Sequence, residues 1–265
     1  MVRAWLSVWL LLISLPAMTA TIDVNFPVSR DGRHVFFQQL VTESMKVAGY
    51  TVNLQEIDVP RHRRSFLALE QGEIDLMYLL PSPERDQLFR RINQPLTRGL
   101  IGNRILLVPA SALGRYQHIH SLKDFRDAKL VAGFGAGWAD ITIWRTNQLP
   151  FYVHQGDWTA LYRLVASQQR GVDYFPRGAS EILLEAAQYA ELVIEPNLVL
   201  TYPSDFYFYV HPDRADLAEA LDIALQKAMK NGVYEQLYKQ HLAPIAQKLR
   251  LNDRRIIPLV LPDSN

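Results

Sequence analysis

Apolar and polar positions alternate from Ile22 to Phe26, the two-residue period of a half-buried strand. After a turn at Asp31-Gly32, the residues Phe37, Leu40, Val41 and Ala48 share one helical face. This predicts a helix over Val35 to Ala48 that is capped at its end by Gly49. A strand is predicted over Thr51 to Ile57, a helix over Ser65 to Gln71 stopped by Gly72, and a strand over Ile74 to Leu80. Strand, helix, strand, helix, strand in such close succession implies a parallel sheet flanked by helices.

Beyond Pro81-Ser82-Pro83 the chain turns polar until a strand predicted over Ile105 to Val108. The alternation then restarts with a strand over Lys129 to Phe134, a helix from Trp138, a strand over Val172 to Phe175 and a helix over Ser180 to Tyr189. A last strand is predicted over Phe206 to Val210. It is followed by a helix over Ala215 to Lys230, with Leu217, Leu221, Ala224 and Leu225 on one face, and by a helix over Val233 to Leu242. Two α/β blocks followed by helices without a fresh sheet predict that the end of the chain folds back on the first block. The expected α/β architecture has two lobes joined by two crossings, with segments 21–97 and 204–265 in the first lobe and 98–203 in the second.

The first twenty residues differ in kind. Arg3 precedes an apolar run from Ala4 to Leu15, then come Pro16 and the small residues Ala17, Thr19 and Ala20. This is the pattern of a cleaved signal peptide over 1–20, since the run is about half of the roughly 20 apolar residues a spanning helix needs. It predicts export, to the periplasm in a bacterium. The chain has no cysteine, which excludes thiolate zinc sites and is compatible with an oxidising compartment. With 28 basic and 27 acidic residues the formal charge is +1, so neither a nucleic-acid nor a membrane-surface partner is expected.

Four segments carry a resemblance. They are Leu67-Ala68-Leu69-Glu70-Gln71-Gly72-Glu73-Ile74-Asp75; Ser82-Pro83-Glu84-Arg85 with Asn93-Gln94-Pro95-Leu96; Lys129 to Asp140; and Phe208-Tyr209-Val210-His211-Pro212 followed by Leu217, Leu221, Met229, Asn231-Gly232, Tyr234 and Tyr238. Taken in this order, and spanning nearly the whole chain after its first twenty residues, they resemble the extracellular solute-binding proteins of family 3. The resemblance implies a two-lobed type II periplasmic-binding fold with two hinge crossings and a ligand cleft between lobes that close on a solute. It implies a small polar, carboxylate-bearing solute, an amino acid or a related compound. Its expected partner is an inner-membrane ABC permease or a sensor. It implies a monomer with no catalytic residue, cofactor or metal.

By that resemblance Arg85 forks onto the solute's carboxylate, as guanidinium geometry allows, and Ser82 adds a hydroxyl. The plainer alternatives are a surface arginine and a helix-capping serine. Arg61, His62 and Arg64 precede the helix predicted from Ser65 and are expected at the mouth of the cleft, where Arg61 and Arg64 can share a face; a solvated basic face is the plainer alternative. Gly135 and Gly137 lie between a strand and a helix start, whose N–H groups can hold an anion. A dinucleotide motif is set aside because Trp138 stands where a third glycine belongs. Trp138 and Asp140 are expected either at the cleft or in packing and helix-dipole roles. Arg177-Gly178 stands where amino-acid receptors of the family carry an aspartate for the ammonium group, which argues against a simple amino acid and for an anionic solute, unless Asp140 or Glu181 substitutes for that aspartate. The alternative for Arg177 is an ion pair with Glu181. Two other functions remain open from sequence: a dehydratase-like enzyme using His62 or Glu181 as general acid, and an interaction module without a ligand. His118 and His120 lack the carboxylates that would suggest a metal site.

Overall fold

The computed structural model of the protein describes residues 20–28, 32, 34–59 and 62–262. The expected signal peptide lies outside the described residues up to position 19, as do Asp31 and Arg61.

The chain begins with β1 (Ala20–Val28), α1 (Val35–Val47) and β2 (Tyr50–Asp58), and β1 and β2 pair in parallel from Ala20 opposite Tyr50 to Val28 opposite Asp58. The helix forms where the apolar residues recur, and it buries Phe36, Phe37, Leu40, Val41 and Met45. It ends because Gly49 takes φ +93°, a left-handed conformation open to glycine at no steric cost, and its N–H closes onto the carbonyl of Lys46. Then come α2 (His62–Glu70), β3 (Leu76–Leu79), α3 (Pro83–Leu88) and β4 (Arg90–Arg91). The Asp75 N–H donates to the carbonyl of Asn25, and the Asp75 carboxylate accepts from the Asn25 N–H at 2.7 Å, which brings β3 alongside β1.

The middle of the chain forms β5 (Asn103–Pro109), α4 (Leu122–Asp127), β6 (Ala132–Gly135), α5 (Asp140–Thr146), β7 (Phe151–His154), α6 (Ala160–Ala166), β8 (Phe175–Gly178), α7 (Ala179–Ala186), β9 (Leu192–Ile194) and β10 (Leu198–Thr201). The tail adds β11 (Tyr207–Val210), α8 (Ala215–Asn231), α9 (Val233–His241), α10 (Ala243–Lys248) and β12 (Arg255–Pro258). Strand β11 inserts antiparallel between β3 and β4, and α8 packs on α1. The second assembly is the sheet β12-β10-β5-β8 with β9 beside β5, together with the parallel pair β6-β7, which is joined to the residue before β8 by a bridge between Ala132 and Tyr174.

Several expected boundaries are corrected. The final strand β12 pairs in parallel with β10, Leu198 opposite Arg255 through Thr201 opposite Pro258. The end of the chain therefore joins the middle sheet rather than staying with the first. The strand expected over Val172 to Phe175 forms at Phe175–Gly178, and the helix expected from Trp138 starts at Asp140. The polar stretch after Pro83 holds the short helix α3, because Ser82 and Pro83 supply an N-cap and a preset first turn. One apolar cluster runs from Val24, Leu40 and Leu221 through Ile105 to Leu161, Phe175 and Ile182; a second, around Phe125, Phe134 and Trp144, fills the outer side of the middle sheet.

Candidate functional site

Two segments run side by side between the assemblies. The Leu96 N–H donates to the Phe206 carbonyl and the Tyr202 N–H to the Gly102 carbonyl, and Asn103 lies opposite Thr201. Asp205, 7% exposed, ties them together: its carboxylate accepts from the N–H of Thr97 (2.7 Å), the Thr97 hydroxyl (2.6 Å), the N–H of Gly99 (2.6 Å) and the N–H of Phe206 (2.8 Å). A Cβ on Gly102 would overlap the Tyr202 carbonyl oxygen, so glycine is what lets the segments approach.

Arg85 lies on α3, immediately after β3. Its Nη1 donates to the Leu80 carbonyl, and among the described residues it has no carboxylate partner. Burial pulls its pKa below the ordinary guanidinium value, a trend that Tyr209 and Glu84 oppose. Ser82 takes its plainer alternative: its Oγ accepts from the Arg85 N–H at 3.3 Å as the N-cap of α3. The backbone of His62 opens α2, but its side chain, like the whole of Arg61, lies outside the described residues, while Arg64 is exposed on the first turn.

The second group of expected residues is brought together, but as a closed network. Asp140 is 4% exposed at the start of α5, where Arg104 Nε lies 2.8 Å and Arg104 Nη2 3.0 Å from its oxygens and the Tyr202 hydroxyl donates at 2.6 Å. Helix α5 has seven residues, with Ala139 as its N-cap and Asp140 in its first turn, and no side chain caps its first N–H groups. Gly135 ends β6, and a Cβ there would press on Trp138 and Trp158; Gly137 takes φ +79°.

Arg177 is 5% exposed. Its Nε and Nη2 fork onto Glu185 at 2.6 and 2.7 Å, and Nη2 also lies 3.0 Å from Glu181. Its Cζ sits 4.9 Å from the Trp138 ring centre, 5.1 Å from Phe175 and 5.2 Å from Trp158. Burial opposes the charge, but Glu181 and Glu185 outweigh it and hold the guanidinium pKa well above its ordinary value. The ion pair weighed as the alternative for Arg177 is therefore present, and Glu185 joins it. Sequence reasoning missed Arg104, Tyr202, Trp158, Glu185 and Asp205. Only Glu185 left a signal, eight residues beyond Arg177 and near the end of the helix that follows it.

An open hollow of about 950 Å³ is lined by His154, Tyr162, Arg163, Arg170 and Tyr189 among others, and includes none of the expected residues. Among the described residues no group of three or more His, Asp or Glu side chains is placed to hold a metal. No helix there is long and apolar enough to cross a membrane.

No family model and no curated protein matches this sequence. Solved structures do match in fold. A mutant of the arginine-binding protein from T. maritima superposes with a TM-score of 0.58 at 15% identity, covering 83% of this chain and 95% of that one. An amino acid ABC transporter substrate-binding protein from Streptococcus pneumoniae, bound to L-arginine, gives 0.57 at 13% identity over 83% and 93%. An ancestral amino-acid-binding protein described as a precursor of cyclohexadienyl dehydratase gives 0.56 at 15% identity over 84% and 95%. The fold is thus that of the type II periplasmic-binding proteins, as the resemblance implied.

Proposed function

We propose that this chain is a divergent family 3 solute-binding protein, exported through a cleaved signal peptide. In this reading it captures a small polar, carboxylate-bearing solute for an ABC-type uptake system or a sensor. It acts as a monomer and as a binding protein rather than an enzyme. The lobes correspond to the two sheet assemblies, and the paired segments bound by Asp205 are the crossings about which they close.

Arg85 carries the proposal. Arg104 and Arg177 in the second assembly are each matched by carboxylates, whereas Arg85 is half-buried and meets only a backbone carbonyl among the described residues. A desolvated guanidinium without a counter-ion recovers that cost when a carboxylate arrives in its plane. Arg64 at the start of α2 and Trp138 at the half-buried face of the second assembly are the further residues assigned to the solute's surroundings. Solved structures of the same fold bound to arginine support a small-molecule ligand.

Calorimetry against amino acids, dicarboxylates and short peptides tests the proposal. A micromolar solute corresponds to about 8 kcal/mol, and removing a bidentate contact in Arg85→Ala is expected to weaken it by about a hundredfold. Binding unchanged by Arg85→Ala would end the assignment of this residue. Turnover of any bound solute would replace the binding protein with an enzyme.

A further inference from the structure

We propose that Arg177 is the resident occupant of a guanidinium cage and so a specificity-determining residue: its own side chain fills the place where a cationic solute group would dock. The cage itself stands on geometry alone; the consequence for solute choice rests on the solute-binding reading above.

A site for a guanidinium needs carboxylates in the plane of the group, aromatic rings against its faces, and little water. All three surround Arg177. Glu185 supplies the two-pronged acceptor, with contacts of 2.6 and 2.7 Å, and Glu181 adds a third at 3.0 Å. Trp138, Trp158 and Phe175 ring the carbon of the guanidinium at about 5 Å. The parts come from separate elements: α7 brings the carboxylates, the turn before α5 brings Trp138, and the residues before α6 bring Trp158. Such convergence is not forced by local sequence.

The cage also lies near the surface. Trp138 and Trp158 are half-buried, with ring centres 5.6 Å apart, so part of each ring reaches solvent while the Arg177 guanidinium lies over both. Two carboxylates face one guanidinium within it, so its own charge favours a cation. With Arg177 in place, a solute lying against the tryptophans meets a filled cation site and places no guanidinium or ammonium there. Without Arg177, the same walls and carboxylates present an empty one.

Thermal unfolding of Arg177→Ala with methylguanidinium chloride at millimolar concentration tests this, using sodium chloride and tetramethylammonium chloride as controls. The variant is expected to melt below the unsubstituted protein and to rise by about 5 °C, saturably, with methylguanidinium alone. The unsubstituted protein and the Arg177→Ala, Glu185→Gln double variant are expected to show no such rise. Equal rises in all salts, or none in Arg177→Ala, would overturn the cage. Should Arg177→Ala not fold by itself, its refolding yield with and without methylguanidinium is read instead: a restored yield supports the cage and an unchanged one overturns it. Preference of the unsubstituted protein for arginine over dicarboxylates, undiminished by Arg85→Ala, would overturn the specificity role. Rescue of Arg177→Ala while no solute binds the unsubstituted protein would uphold the cage and sink the solute-binding reading instead.

Discussion

Replacing Asp205 by alanine is expected to do more damage than any other single loss of a hydrogen-bonding side chain at the crossings. Four donors converge on this carboxylate, at 2.6 to 2.8 Å. A hydrogen bond to a charged acceptor contributes about 1.5 to 3 kcal/mol, and a donor left buried without a partner costs about 1 to 3 kcal/mol. The donors on Gly99 and Phe206 belong to half-buried residues and can recover water, but Thr97 is fully buried and cannot. The net loss is therefore about 3 to 4 kcal/mol for Asp205→Ala. Asp205→Asn keeps the acceptor for Thr97 but turns an N–H₂ toward the Gly99 N–H, and is expected to lose about 2 kcal/mol. Thr97→Val removes one hydroxyl and is expected to lose about 1 kcal/mol. Urea unfolding followed by far-ultraviolet circular dichroism measures all three. An Asp205→Ala loss no larger than that of Thr97→Val would refute the claim that this carboxylate joins the two segments.

Gly102→Ala drives a methyl into the Tyr202 carbonyl and is expected to cost about 3 kcal/mol by chemical denaturation, whereas Gly114→Ala, with open space around it, is expected to change stability little. Tyr174→Phe strands the buried Trp144 indole N–H, which donates to the Tyr174 hydroxyl at 2.9 Å, and is expected to cost about 1 to 3 kcal/mol despite keeping the ring. Burial holds the His241 pKa below its ordinary value of 6.5. The unfolded chain thus takes up a proton before the fold does, so this contribution to stability is complete above pH 6.5 and is lost as pH falls below it. His241→Gln is expected to flatten that part of the pH profile in thermal melts between pH 5 and 8, and an unchanged slope would show that the histidine does not set it.

The period of the apolar residues located many of the elements, though not α3, α6, β7, β9, β10 or β12. In α1 a single stripe, Phe37 through Met45, selects one face, and Gly49 alone has the freedom to stop it, so both are written locally. The same local logic placed β1, β2, α8 and α9, and the four motifs in their order carried the fold. It could not place β12: a short strand after helices carries no mark of which sheet edge it will join, and only the open edge of β10 decided that. Nor could it assign the charges. Asp140 and Arg177 have the composition of ligand-binding groups, but a charge removed from water takes whatever partner the packing brings: Asp140 meets Arg104 and Tyr202 from distant positions, whereas Arg177 meets Glu181 and Glu185 of the helix that directly follows it. Asp205 likewise acquires its role when two segments more than a hundred residues apart in sequence come side by side. Local periodicity fixes backbone conformation because it acts over neighbouring residues; the partners of buried charges such as Asp140 and Asp205 are fixed only when distant parts of the chain share the same dry space.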